Sequence, residues 1–351
     1  MKNFQKTILV CVVILFCATG PAFSQDTLMI EDLQKSADDF LDSFAKSLPF
    51  NSTIGLNWSD AYIGKMPPHF GIGISTGITT MDYASLNNLV NKFGSNMSFD
   101  KISTFEKYGL PIPGYTVEAR IGGIIIPLDF GIKFGYISTG TFERMVEMFS
   151  DKPSNFGYKY MLIGGDVRFT PLDKKVFPVR LSVGLGYNFM KGEITGRAPL
   201  PDTLYSFTDK NSGENFTFSQ TDGHLGIEWR TSVLELKTQV SFPFKFITPY
   251  AGVGVSYAFS QAGYSVNSKI SVNKEDGESV ETTYVKGILE SLGLTGVSET
   301  GFESIKKINS FNSRAFGGFS LNLAFFRLDF TGMYNFIGGD FGITLGSRFQ
   351  L

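Results

Sequence analysis

Most of this chain alternates apolar and polar residues with a period of two, the pattern of β-strands whose two faces meet different surroundings. From Phe70 to Ile78 the apolar positions alternate with glycine and serine. In later segments, such as 115–122, 128–136 and 179–189, the second face also carries charges. Counting from Phe70 to Leu351 gives about ten strands. The range is 10 to 14, because the stretch 225–242 changes face near Leu234 and residues 54–62 resemble a further strand.

The predicted connections alternate between short and long. Short turns fall near 124–127, 172–177, 242–248 and 326–327, and long polar loops cover about 81–113, 139–156, 191–222 and 262–312. Bacterial outer-membrane barrels have short periplasmic turns and long outer loops, whereas a soluble sandwich has no reason to keep its long loops at one end. The sequence therefore predicts an all-β fold: one antiparallel transmembrane β-barrel of about ten strands, with both chain ends on the periplasmic side.

The first 64 residues follow other patterns. Residues 1–24 match a secretory signal, with two lysines before an apolar run and cleavage after Ser24. Residues 30–48 carry apolar side chains at spacings of three and four, which predicts a short amphipathic helix. The predicted organisation is a signal peptide at 1–24, a helix and plug segment at 25–64, and the barrel at 65–351.

The position of this helix has three interpretations: a plug in the lumen, a periplasmic cap, or an interfacial helix on the inner leaflet. Ten strands leave little room for a full helix once side chains fill the lumen. We therefore expect the helix at or just below the periplasmic mouth, with residues 54–62 reaching inward as a partial plug.

Composition excludes several classes of function. The chain has 35 Phe, 14 Tyr and 39 Gly but two His and two Cys, and its net charge of -2 argues against nucleic acid as a partner. Cys11 and Cys17 both lie in the predicted signal, which excludes disulfides and cysteine-bound zinc in the mature chain. His69 and His224 lack an identifiable serine partner, so we predict no enzyme activity, no cofactor and no metal site.

Ionisable side chains on the polar face of the strands are predicted to line the lumen. The candidates are Glu118, Arg120, Asp129, Lys133, Asp166, Arg168, Arg180, Glu228, Arg230, Asp329 and Arg348, together with Glu235 and Lys237. Acids and bases are nearly balanced. This balance fits cross-strand ion pairs that close the lumen, and it also fits a weakly selective pore.

Two segments resemble known families. The alternate apolar residues at the chain end, from Phe341 to Leu351, resemble the recognition signal of outer-membrane barrels, which implies binding to the barrel assembly machinery through the last strand. Residues 55–64, GLNWSDAYIG, followed by PHFG at 68–71, resemble the opening of uncharacterised spirochaete outer-membrane barrels, which are loosely linked to FadL-type long-chain fatty acid channels. The resemblance implies a hydrophobic solute.

Two functional hypotheses follow. The first is a narrow channel or transporter for small solutes, hydrophobic ones among them, located in the bacterial outer membrane after export and contacting its lipid. The alternative is a closed barrel that serves as a surface scaffold or adhesin, whose long outer loops bind a partner.

Overall fold

A computed structural model describes residues 27–63, 69–92, 107–123, 127–141, 156–174, 179–197, 203–208, 215–274, 297–298 and 301–351. The predicted signal peptide, 1–24, lies outside the described residues. The helices are α1 (Thr27–Asn51) and α2 (Tyr83–Lys92). The strands are β1 (His69–Met81), β2 (Leu110–Gly122), β3 (Leu128–Ile137), β4 (Phe156–Lys174), β5 (Val179–Arg197), β6 (Thr203–Thr208), β7 (Asn215–Ser241), β8 (Ile247–Lys274), β9 (Val297–Ser298), β10 (Gly301–Leu323), β11 (Phe326–Asn335) and β12 (Phe341–Gln350).

The sheet closes on itself as a barrel. Ten antiparallel strands pair in the order β1, β2, β3, β4, β5, β7, β8, β10, β11 and β12, and β12 pairs back to β1 with Phe349 opposite Ile72. Strand β6 pairs with β7 and β9 pairs with β10, outside this ring. The predicted ten-stranded antiparallel barrel is confirmed.

The two ends of the barrel differ in their connections. We call one the short-turn end; it holds the connections 123–127, 175–178, 242–246 and 324–325, the start of β1 and the end of β12. The long-loop end holds the connections 82–109, 138–155, 198–214 and 275–300. One short connection, 336–340 between β11 and β12, also lies at the long-loop end.

The outer surface of the ring carries a belt of exposed apolar side chains. Ile132, Leu185 and Ile343 are each more than 60% exposed, at 66%, 61% and 67%. The residues between them along each strand face the interior and are buried. Sheet pleating separates the two sets, because successive side chains point to opposite faces.

Strand β7 is one continuous strand of 27 residues. Its odd-numbered residues from Ile227 to Ser241 are all buried, so no change of face occurs at Leu234, and the register irregularity lies between Thr221 and His224 instead. The stretch 225–242 is therefore a single strand. Residues 54–62 do not form a strand.

Three neighbouring strands extend past the others at the long-loop end. Strands β7, β8 and β10 have 27, 28 and 23 residues, whereas a membrane-crossing strand needs about 9–11. The loops predicted at 191–222 and 262–312 are shorter than expected, since parts of both ranges belong to these strands. The barrel wall therefore rises well beyond its apolar belt on this side.

Helix α1 lies inside the barrel at the long-loop end, and the prediction of a helix at or below the periplasmic mouth was wrong. Its Asp38 carboxylate is 3.2 Å from the ammonium of Lys306, which lies near the long-loop end of β10. Its Phe44 ring contacts the inward-facing Trp229 ring edge to face, with centroids 5.2 Å apart. The helix fits inside the lumen because the inner wall near the long-loop end carries apolar side chains that pack against it. Within the described ranges, no helix combines the length and the apolarity needed to span a membrane.

Candidate functional site in the barrel lumen

The lower half of the lumen, towards the short-turn end, holds a network of buried ion pairs on the wall. Arg120 of β2 bonds the Asp129 carboxylate of β3, and its second Nη is 2.6 Å from the Asp166 carboxylate of β4. Arg168 of β4 donates two hydrogen bonds to the Asp129 carboxylate from the other side, from Nε at 2.8 Å and from Nη2 at 2.7 Å. The Lys237 ammonium of β7 completes the set at 2.7 Å from Asp166. Cross-strand register brings these groups together, since Asp129 lies directly opposite Arg168.

A second group of wall charges lies on the other side of the lumen. Glu235 of β7 pairs with Arg314 of β10 at 2.7 Å, and Arg348 of β12 pairs with Asp329 of β11 at 3.0 Å. All four side chains are buried. Buried charges are stable only when they are paired and hydrogen-bonded, so these pairs require fixed positions of the strands that carry them.

The chain after α1 runs down through this network. We call residues 52–63 the plug; every one of them is buried. The plug is held largely through its backbone: the Lys133 ammonium donates to the carbonyls of Ser52 and Ile54 at 2.7 Å each, and the Glu118 carboxylate accepts from the Leu56 amide at 2.8 Å. Wall charges thus satisfy backbone groups that a non-helical, non-strand segment would otherwise bury without partners.

Close contact with the wall fixes the start of the plug. Gly55 and Leu56 have positive φ angles of 86° and 57°. A Cβ atom at Gly55 would lie 2.4 Å from the Thr116 hydroxyl and 2.9 Å from Glu118. Glycine is therefore required here both for the backbone turn and for the approach to β2.

Trp58 anchors the middle of the plug. Its indole Nε1 donates to Glu118 at 2.6 Å, and the Arg348 guanidinium stacks over the ring at 4.6 Å from the centroid. The Arg120 guanidinium lies on the same ring system at 5.7 Å. Gln239 donates to the Trp58 carbonyl at 2.8 Å. Each interaction links the plug to the wall, and together they reach β2, β7 and β12.

Asp60 anchors the lower part of the plug. Its carboxylate is 2.7 Å from Arg327 of β11, 3.0 Å from Arg348 of β12 and 3.8 Å from Arg180 of β5. Its backbone carbonyl accepts a 2.8 Å bond from Arg168. The plug therefore contributes an acid to the wall network as well as backbone groups.

The upper half of the lumen, towards the long-loop end, is apolar. Leu41, Phe44, Ala45 and Leu48 of α1 are buried. They pack with buried wall residues, which are Met81, Leu110, Tyr158, Tyr160, Leu162, Met190, Ile194, Ile227, Trp229 and Ala262. At the junction of the two halves, the Asn51 amide donates to Thr79 at 2.9 Å and to the Ile112 carbonyl at 3.0 Å. The lumen is thus filled by packed helix above and bonded plug below.

The structure places most of the predicted lumen residues on the inner wall. Those that face the interior are Glu118, Arg120, Asp129, Lys133, Asp166, Arg168, Arg180, Glu235, Lys237, Asp329 and Arg348. The prediction was wrong for Glu228 and Arg230, which are exposed on the outer surface while Ile227 and Trp229 face inward. Beyond the apolar belt, the outer face of the barrel contacts water and the inner face packs on α1. At this level, therefore, polar residues face outward and apolar residues face inward, the reverse of the arrangement in the belt.

Four important residues were missed from the sequence: Trp58, Asp60, Arg314 and Arg327. Two of them carry a usable signal, because Arg314 has the same parity as the inward-facing Ser320, and Arg327 the same parity as Asp329. Trp58 and Asp60 belong to residues 54–62, which were expected to reach inward as a partial plug, but no pattern in that segment indicates which of its side chains contact the wall. No cluster of three or more metal-ligating acids or histidines occurs in the part of the chain that the structure describes.

Comparison with known proteins gives one family match. The model described as "Family of unknown function (DUF6588)" matches residues 167–347, just over half of the chain. No curated protein matches the chain significantly.

Solved structures similar to this chain include several membrane barrels. A major outer membrane protein of Thermus thermophilus is 10% identical with a TM-score of 0.29, covering 81% of this chain and 99% of that one. The outer membrane protease OmpT of Escherichia coli is 9% identical with a TM-score of 0.36, covering 84% and 100%. A TodX mutant, a monoaromatic hydrocarbon channel, is 8% identical with a TM-score of 0.25, covering 81% and 90%. Similarity this low carries no information about solute or activity.

Proposed function

We propose that this chain, which belongs to the family of unknown function DUF6588, is a bacterial outer-membrane barrel that transports a small solute when its plug moves. The membrane placement is supported by the apolar belt around the closed ring, which would be costly to expose to water. Export through a signal peptide at 1–24 and assembly through the last strand, β12, belong to the same proposal.

One observation carries the proposal: α1 and the plug fill the lumen, and the plug is bonded to the wall mainly by polar contacts. Lys133, Glu118 and Gln239 bind backbone atoms of the plug. Each such bond is modest in net free energy, about 0.5–1.5 kcal/mol for the neutral Gln239 and about 1.5–3 kcal/mol for the charged Lys133 and Glu118, because water can replace the lost partner. The plug is therefore suited to reversible displacement, and the wall charges that it leaves behind would hold water.

The apolar upper half favours a small hydrophobic solute, as the FadL resemblance also implies. If α1 moves outward, it uncovers the rings of Tyr158 and Trp229 and the side chain of Met190. Apolar walls with a few polar groups are typical of pockets for small molecules. We propose no catalytic role for the chain.

The test is conductance in a planar bilayer of the refolded mature protein and of a version that lacks residues 25–64. We expect few or no openings from the complete protein and a continuous conductance from the truncated one. Heat-modifiable gel mobility verifies that both versions have refolded. A truncated barrel that refolds and still does not conduct would contradict the proposal, since the wall alone would then seal the lumen.

The second candidate function is a surface scaffold. It is favoured by the extension of β7, β8 and β10 beyond the apolar belt, which builds a raised wall at the long-loop end. This function would be favoured if neither the complete protein nor the version without residues 25–64 conducts, and if deleting residues 265–307 abolishes binding to cells.

A further inference from the structure

A row of outward-facing polar residues, three of them cations, crosses four adjacent strands near the long-loop end. Lys191 of β5 lies opposite Arg230 of β7, which lies opposite Gln261 of β8, which in turn lies opposite Lys307 of β10. Lys191, Arg230 and Lys307 are all exposed. We call these four residues the basic row. Directly opposed residues of antiparallel strands have Cβ atoms about 5 Å apart, so the row is a continuous surface feature.

The basic row borders the apolar belt. Two residues closer to the short-turn end, the corresponding row is Phe189, Ser232, Phe259 and Asn309. The next row in the same direction is Tyr187, Leu234, Tyr257 and Phe311, and its four side chains are 45–52% exposed. Tyrosines at the edge of an apolar belt are typical of a membrane–water interface. The basic row therefore lies at the level where lipid headgroups meet the barrel.

The charges in this row are only partly balanced by their neighbours, because the next row outward supplies two carboxylates, Glu193 and Glu228, against the three cations of the row and Lys159. Lys191 and Arg230 are like charges placed directly opposite each other, which destabilises a strand pair unless an anion lies between them. In the row beyond, Glu193 is already paired with Lys159 at 2.9 Å, and Glu228 lies opposite Glu193. Arg230 uses its Nε to bond Gln261 at 3.2 Å, which leaves its two Nη groups to bind a ligand.

The surface at this place is concave. A shallow groove of about 470 Å³ has three cations and two acids among its lining residues: Lys159, Lys191, Arg230, Glu193 and Glu228. Tyr136 and Gln261 line it as well. Gly263 of β8 also lines the groove, and having no side chain it leaves the floor open beside Gln261. A headgroup of a few ring atoms with a phosphate fits such a groove better than it fits a flat sheet.

We infer that the basic row binds the phosphate of a phosphorylated glycolipid in the outer leaflet, with its acyl chains along the row of Tyr187, Leu234, Tyr257 and Phe311. This inference rests on the proposed placement in the outer membrane with the long-loop end outside. Guanidinium and ammonium groups bind phosphate through short charge-assisted hydrogen bonds, and arginine does so bidentately. The bound phosphate also relieves the repulsion between Lys191 and Arg230.

The experiment uses the refolded mature protein in a non-ionic detergent and three probes: a bisphosphorylated acylated glucosamine lipid, the same lipid after dephosphorylation, and inorganic phosphate. The variant carries Lys191→Gln, Arg230→Gln and Lys307→Gln together. The matched control carries Lys35→Gln and Lys245→Gln, two exposed lysines away from the row. Binding is measured by native mass spectrometry and by titration against thermal unfolding.

We expect the complete protein and the control to prefer the phosphorylated lipid, and the triple variant to bind it roughly 100-fold more weakly, since each basic residue at an anionic lipid surface contributes about 1 kcal/mol. Equal binding of the phosphorylated lipid by the triple variant and the complete protein would overturn the inference. So would equal binding of the dephosphorylated lipid. Displacement of the lipid by inorganic phosphate at comparable concentration would assign the row to a free anion instead.

The membrane placement is measured separately, by insertion of the same proteins into phospholipid vesicles with heat-modifiable mobility as the readout. A protein that inserts but does not discriminate the phosphorylated lipid overturns only the inference about the basic row. A protein that does not insert overturns the proposed function itself.

Discussion

Asp60 places a buried carboxylate among arginines from three strands: Arg180 of β5, Arg327 of β11 and Arg348 of β12. Removing one partner of a buried ion pair usually costs more than the pair contributes, because the remaining charge stays buried and unpaired. Two of the arginines are partly exposed, with side chains 28% and 20% accessible, so water offsets part of this cost. Substitution of Asp60 should therefore weaken docking of the plug, with Arg348 as the partner left buried.

The variant Asp60→Asn keeps the shape of the side chain and removes its charge. We expect docking of the plug to weaken by about 3 kcal/mol, at the lower end of the range for a buried pair, and frequent channel openings to appear in a planar bilayer. Asp42→Asn, on the more exposed side of α1, removes an acid that pairs with Lys46 and serves as the control. An Asp60→Asn protein that stays silent while the version without residues 25–64 conducts would show that Asp60 does not hold the plug.

At the scale of single elements, α1 is joined to the wall by apolar packing and by the pair Asp38–Lys306. The mature chain contains no native cysteine if cleavage follows Ser24, so introduced cysteines can be cross-linked without background. The helix can therefore be tethered to β10 with a short bismaleimide in a protein that carries Asp38→Cys and Lys306→Cys.

We expect this tether to abolish the openings of the Asp60→Asn protein, because the helix must leave the upper lumen before solute can pass. Single-cysteine versions treated with the same reagent are the controls, and a cleavable linker should restore conductance. Openings that persist in the tethered protein would mean that the plug moves while α1 stays in place.

The strands could be predicted from the sequence. Which of their residues face the lumen could be predicted only in part. The period of two fixes which residues of β7 share a face, and this parity holds from Ile227 to Ser241. It does not say which face is inside. Trp229 and Arg230 show the reason: polarity assigns the charged residue to the lumen, but beyond the apolar belt the outside faces water and the inside faces α1.

For the whole molecule, the two ends of the described chain lie at opposite ends of the barrel. Helix α1 begins at the long-loop end, the plug descends through the lumen, and β12 finishes at the short-turn end. In the membrane placement that we propose, with the short turns in the periplasm, the start of α1 lies on the side of the cell surface. The sequence predicted the ends of the ring and the inward path of residues 54–62, but it placed the helix, and with it the first end of the chain, at the wrong mouth. Ten strands were expected to leave little room for a helix in the lumen, whereas the wall at the long-loop end presents apolar side chains that pack on it.

Cysteine labelling in intact cells tests this direction. We expect Lys35→Cys, exposed on α1, to react with a membrane-impermeant maleimide, and Lys245→Cys, in the turn between β7 and β8, to react only after the cells are permeabilised. The reverse order of labelling would place the long-loop end in the periplasm.

The position of the Asp60 partners has a consequence for biogenesis. Asp60 is separated from Arg327 by 267 residues and from Arg348 by 288, so an early part of the chain depends on the two strands that complete the ring. Contacts between such distant residues form slowly, because a long loop must close first. The arginines of β11 and β12 reach Asp60 only as β12 pairs with β1. Closing the seam of the ring and seating the plug are thus expected to be one late event in folding.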